Sequence, residues 1–268
     1  MGRKMFFNLF KKKEQEKPTP KKTSTTKVHS EKIATRKGEI GEYKIDIQLA
    51  QLPKDYLHLS DLLIPNEKSI SNYSQIDHLI MTPYGIFVIE TKNYQGTIYG
   101  SKDRKEWLIN GKFKMPSPLI QNYGHIQALK SLIPTNYHDK FISIISFTKR
   151  CTFKVEEELR KIASNELVIY DIELTDFINR KISILKLQHK KPLISTEEIQ
   201  HIYKLIIESN ITDLAIRKSH IENIEKKKEM KNECAICQKK VSDKVSQFCL
   251  SNPKFEGKIY CYEHQKKG

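Results

Sequence analysis

The chain has 268 residues, 38% apolar and 29% charged, with ten glycines and ten prolines. That length makes one large domain or two modest ones; the apolar share excludes wholesale disorder, and the low glycine and proline content excludes collagen-like or low-complexity material. The net charge of +15 points to a polyanionic partner, nucleic acid or an anionic membrane face, although residues 1–37 alone carry twelve Lys and Arg against three Glu.

Residues 1–32 therefore read as a flexible basic tail. Its opening, MGRKMFFNLF, is too short for a signal-peptide core, and Phe6 stands where a myristoylation motif needs Ser or Thr. A solvated arm is one reading; weak contact of residues 1–30 with anionic membrane or nucleic acid is the other. No apolar run approaches the roughly 18 residues of a transmembrane segment.

A first helix is predicted over 38–52, with Ile45, Leu49 and Leu52 at helical spacing. Residues 73–81 read as a strand, Thr82–Gly85 as a turn, and 86–92 as a second strand that is apolar on both faces until Glu90, the mark of a central strand. Trp107–Lys114 reads as a hairpin with a type I′ turn at Asn110-Gly111. Ser117 as N-cap and Pro118 at the first helical position start a helix to about Ile133. Strands follow at 141–147 and 166–171, with a helix at 155–164 between them. Thr175 is read as the cap of a helix to about Ile184. Ser195 and Glu198 form a capping box that opens the stripe Ile199, Ile202, Tyr203, Ile206 and Ile207, and a charged helix covers about 212–232.

Hairpins followed by strands alternating with helices predict an α/β fold: a mixed central sheet flanked by helices. The division expected is a tail (1–32), the α/β domain (33–192), a helical extension (193–232) and a Cys-rich module (233–268).

Two features carry chemistry. Asp77 lies inside an apolar strand, and Glu90 and Lys92 end the most apolar one. Residues two apart on a strand share a face, so Glu90 and Lys92 point together, and the turn at 82–85 brings Asp77 beside Glu90. Buried charges are costly unless paired or metal-bound. A divalent cation relieves repulsion between close carboxylates, and a metal-bound water loses its proton more easily. Asp, then Glu-x-Lys, is a toolkit for metal-assisted phosphodiester hydrolysis; a strand-end ion pair is the plain structural alternative.

The segments KGEIGE (37–42), QIDHLIMTPYGIFVIETKNYQGTIYG (75–100), Trp107 and PLIQNYGHIQAL (118–129) resemble the nuclease-related domain, or NERD, a divergent branch of the PD-(D/E)xK restriction-endonuclease-like fold. The likeness spans about residues 36–190. It implies a cytoplasmic, metal-dependent nuclease acting on DNA. Asp77 and Glu90 would hold Mg²⁺ or Mn²⁺, Lys92 would be the catalytic lysine, Glu42 an additional carboxylate from the first helix, and Gln121 a polar residue facing the site, with His125 one turn on. Ser117-Pro118 departs from the Asn-Pro expected there. The alternative is a non-catalytic nucleic-acid-binding module on the same fold.

At the C-terminus, Cys234-x₂-Cys237 and Cys261-x₂-His264 suit a tetrahedral, structural Zn²⁺ in a reducing compartment. Cys249 is either an alternative ligand or a buried thiol. Lys239, Lys240, Lys244, Lys254 and Lys258 surround the module and allow nucleic-acid backbone contact.

Overall fold

The computed structural model describes residues 40–69, 71–230 and 232–265. The expectations for residues 1–32, and the start of the predicted first helix at residues 38 and 39, lie outside the described residues. In chain order the elements are α1 (40–49), β1 (Leu57–Pro65), β2 (Tyr73–Thr82), β3 (Gly85–Lys92), β4 (Gly96–Gly100), β5 (Glu106–Ile109), β6 (Phe113–Pro116), α2 (Pro118–Lys130), β7 (Phe141–Phe147), β8 (Cys151–Val155), β9 (Glu166–Tyr170), α3 (Leu174–Gln188), α4 (Thr196–Ser209), α5 (Leu214–Met230) and α6 (Asp243–Ser251).

The expected mixed α/β fold is present, with its strands divided between two sheets. The larger has the order β1-β2-β3-β7-β9 and the smaller β6-β5-β4-β8. In the larger, β1, β2 and β3 pair antiparallel, whereas β3, β7 and β9 run parallel. β3 is central, and Gly85 to Glu90 are all buried. On one face, Ile45 and Leu49 of α1 and Phe177, Ile178 and Ile182 of α3 cover Phe87, Ile89 and Ile144. On the other, Ile126 and Leu129 of α2 and Ile199, Ile202 and Ile206 of α4 cover Met81, Ile86 and Val88. Each such isoleucine contributes roughly 1.5–3 kcal/mol of apolar burial. A third cluster joins the sheets: Ile98 and Trp107 pack with Ile145, Phe147 and Val168.

Gly100 shows how tight that junction is. A Cβ built there would stand 2.2 Å from the Trp107 ring, closer than non-bonded carbons tolerate. Gly100→Ala is expected to cost about 1–3 kcal/mol, read as a fall in melting temperature. An unchanged melting temperature would show that the Trp107 ring moves aside freely.

The β5–β6 hairpin has the predicted turn, since Asn110 (φ 54°) and Gly111 (φ 67°) are both left-handed. The Ser195 capping box is formed: Ser195 Oγ accepts from the Glu198 N–H (3.2 Å), and Glu198 Oε2 accepts from the Ser195 N–H (2.6 Å). Three local expectations are corrected. No helix spans 155–164; residues 151–155 pair with β4, and only a 3₁₀ turn, Glu157–Arg160, follows. Arg160 bonds the Val168 carbonyl (2.7 Å) and the Glu173 carboxylate, which holds that segment against the sheet. Thr175 lies inside α3, with its Oγ1 3.3 Å from Gln48 Oε1, and the helix runs on to Gln188. Ser117 occupies the N-cap of α2, but its buried hydroxyl makes no capping bond; the fixed φ of Pro118 starts that helix.

Candidate active site and candidate metal centre

Asp77 stands at a double break in the strand pattern. The β1–β2 register is regular on both sides of Asp61 and Asp77 and skips that pair. Ile76 shares one core cluster with Leu79 and Met81, so the alternation changes phase between 76 and 79. Across from Asp77, Asp61 is left-handed (φ 50°). Arg217 of α5 pins it, donating to the Asp61 carbonyl (3.2 Å) and pairing with its carboxylate (2.5 Å). The β2–β3 ladder ends at His78 and Ile89. One step beyond, Asp77 Oδ2 accepts from the Thr91 N–H (2.7 Å) and the Thr91 hydroxyl (2.6 Å). A side chain thus replaces a ladder carbonyl where the strands diverge.

Glu90, Lys92 and Gln121 form a closed triangle. Lys92 Nζ donates to Glu90 Oε1 and to Gln121 Oε1 (3.0 Å), and Gln121 Nε2 donates to Glu90 Oε1 (2.7 Å). His125, one turn after Gln121 on α2, places Nε2 3.2 Å from Glu90 Oε2. Glu90 is 2% exposed. Burial pushes its carboxyl up, but the Lys92 ammonium and His125 hold it below the usual range. Burial likewise opposes the charge on Lys92, and the Glu90 and Asp77 carboxylates keep it above its ordinary value, so it is a firm cation. Asp77 goes the other way: burial first, then repulsion from Glu90 and Glu42, pushes it up to about 7 against the pull of the Thr91 bonds. Glu42, Thr91, Lys92 and Ser146 line one small cleft.

The sequence-predicted residues Glu42, Asp77, Glu90, Lys92 and Gln121 therefore meet at the C-terminal end of β3, where its ladder with the middle of β2 stops. An oxygen-rich donor set in which Glu90 and Glu42 repel a buried Asp77 is what a hard divalent cation suits. Glu42, Asp77 and Glu90 do not, however, bring three ligand atoms within 4.8 Å of one another.

Two polar groups beside the site escaped the sequence. Asp171, at the end of β9, accepts from the Lys149 and Ile172 N–H groups through Oδ1 (3.0 Å each). On the α1 side of the sheet, Ser60 Oγ donates to Asp46 Oδ1 (2.5 Å) and lies 3.0 Å from His78 Nδ1. His78 is 1% exposed, a core histidine satisfied from one nitrogen. No local motif signals either group, because their partners are distant in sequence.

Among the described residues, one group does gather four ligand atoms within 4.8 Å: Cys234, Cys237, Cys261 and His264. Cys237 and Cys261 sulfurs are 3.7 Å apart, and His264 Nδ1 is 3.3 Å from both Cys234 and Cys261. Burial opposes ionisation of Cys234, but neighbouring backbone N–H groups and His264 bring it down to about 5, the thiolate form that binds metal. Cys249 lies outside this group. It is buried, and its sulfur engages the Tyr260 backbone N–H (3.4 Å) and carbonyl (3.3 Å) and Gln265 Nε2 (3.4 Å).

Fold and site together define an α/β protein of the nuclease-like kind with a Cys/His metal-binding cluster at its C-terminal end. The chain belongs to the nuclease-related domain (NERD) family, whose pattern matches residues 37–148. It is 31% identical over 195 residues to an uncharacterized protein from Bacillus anthracis, covering 71% of this chain and 85% of that one. No solved structure matches it.

Proposed function

We propose that this NERD protein hydrolyses phosphodiester bonds in nucleic acid, DNA in the first instance. The observation that carries the reading is the junction of the Lys92 ammonium with the Glu42, Asp77 and Glu90 carboxylates where β2 and β3 diverge. Asp77 and Glu90 would hold Mg²⁺ or Mn²⁺, with Glu42 nearby; such an ion supplies Lewis acidity and a more acidic bound water. Lys92 stabilises negative charge that develops on the phosphoryl oxygens. Gln121 and His125 orient Lys92 and Glu90. Burial and the neighbouring carboxylates push metal-free Asp77 up to about 7, and a bound cation would favour its charged form.

The Cys/His cluster we assign to a structural zinc ion. Tetrahedral zinc with the usual bond lengths sets sulfur–sulfur edges of about 3.8 Å and sulfur–nitrogen edges of about 3.6 Å, close to the 3.7 and 3.3 Å found. A cytoplasmic setting, where thiols stay reduced, is the one in which such a Cys/His site would form. Among the described residues no helix is long and apolar enough to cross a membrane. Membrane contact through residues 1–30 has no support among them.

The closed Glu90–Lys92–Gln121 triangle favours a second reading, a nucleic-acid-binding protein without catalysis. Plasmid nicking with Mg²⁺ separates the two. Wild type should nick, while Lys92→Ala and Glu90→Gln should each lose about 10²–10³-fold in rate. Equal rates in all three, or none in wild type, would leave only the binding reading.

A further inference from the structure

Beside the cleft at Glu42 and Lys92 lies a second groove that the site does not use. The two share Gly41, Asn93, Thr148 and Asp171, so they are continuous. The second groove carries three basic side chains, Lys44 from α1 and Lys149 and Arg150 from the turn between β7 and β8, all exposed. Its one acidic residue, Asp171, is buried and spends Oδ1 on the backbone N–H groups of Lys149 and Ile172. The groove is thus cationic, and its cations face solvent.

The basic turn is held in place. The Thr148 N–H donates to the Lys92 carbonyl (3.0 Å), and Thr148 Oγ1 donates to Asn93 Oδ1 (3.0 Å), which ties the turn to the strand end that bears the site lysine. Lys149 Nζ sits 3.8 Å over the Tyr170 ring, and the Arg150 guanidinium donates to Gln95 (2.9 Å). Both cations thus have a contact within the protein that sets their position beside the groove. Gly41 forms the saddle between the two hollows. Its missing side chain is not demanded by packing, because a Cβ there would meet only Thr148 Cγ2, at an ordinary 3.9 Å; what the glycine does is leave the passage open.

We infer that Lys44, Lys149 and Arg150 form a track for the phosphodiester backbone of a nucleic-acid strand and lead that strand across Gly41 toward Lys92. The track rests on the hydrolytic reading only for its destination; the binding surface stands without it.

Fluorescence anisotropy in EDTA, with labelled 20-nucleotide duplex DNA, single-stranded DNA and RNA as probes, tests the inference on the full chain. The triple variant Lys44→Gln, Lys149→Gln, Arg150→Gln is compared with wild type. Each lost phosphate contact should lower the slope of log affinity against log salt by about 0.9 on duplex or about 0.7 on single strands. The triple variant should therefore bind at least tenfold more weakly near 0.1 M salt and show a slope shallower by about 2–3, with its melting temperature unchanged. Charges in residues 1–37 contribute equally to every variant and cancel in the comparison. Affinity and slope equal to wild type, or no binding by wild type, would overturn the track. If the track binds but wild type never nicks plasmid, the hydrolytic reading fails and the track survives. The three probes show which nucleic acid the track accepts.

Discussion

Asp77→Asn is expected to stabilise the metal-free protein at pH 8 and to leave it unchanged near pH 4. The folded Asp77 carboxyl titrates at about 7, against 3.8 for the ordinary group. Between those values the folded state binds the proton that the unfolded state has released, so stability falls as pH rises through the window and the full penalty applies above about pH 7. Asp77 keeps partial solvent contact, so the penalty is taken conservatively as about 2–4 kcal/mol rather than the larger figure full burial would give. Asparagine keeps an oxygen to accept from Thr91 and carries no charge to bury. The melting temperature of the variant at pH 8 should exceed wild type by roughly 5–10 °C, and the gap should close as pH approaches 4. Millimolar Mg²⁺ at pH 8 should raise the wild-type melting temperature and leave the variant's unmoved. Parallel pH profiles for the two proteins would mean that burial and the neighbouring carboxylates do not raise Asp77.

Loss of metal from the Cys/His cluster should unfold the C-terminal segment outright. Its described core is small: Phe255, Cys234, Cys249 and Cys261 are its buried apolar residues. Structural zinc in small modules supplies on the order of 10 kcal/mol of folding free energy, more than so little apolar surface provides. Cys261→Ser is expected to abolish stoichiometric zinc and expose residues 232–265 to protease. Cys249→Ala should keep one zinc per chain, because its sulfur engages Tyr260 and Gln265 and not the other ligands. Retention of zinc by Cys261→Ser, or its loss from Cys249→Ala, would redraw the ligand set.

The parts of the fold legible from sequence are those where one periodicity runs unbroken. β3 and β7 are continuous apolar runs, α4 carries a clean stripe with a capping box, and Asn110-Gly111 fixes its turn. β1 was invisible because its pattern changes phase at Asp61, so no alternation spans Leu57–Pro65. β4 is five residues bounded by glycines, too short to announce itself. The stretch after Val155 is rich in helix formers, yet pairing with β4 and the Arg160 contacts override that local preference. Asp77, Glu90 and Lys92 stood out because charge inside apolar strands is conspicuous. Gln121 and His125 required the family likeness, and Asp171 required coordinates, since the Lys149 N–H it accepts from belongs to a distant turn.

The three isoleucines of α4 and all of β9 and α3 lie beyond residue 148, where the family match ends. Without them, β7 would lose its outer neighbour, and α1 and α2 alone would be left to cover the two broad faces of the larger sheet. In this chain the matched stretch is accordingly not a finished body: its sheet is closed on one edge, and its two apolar faces are completed, by residues that follow it.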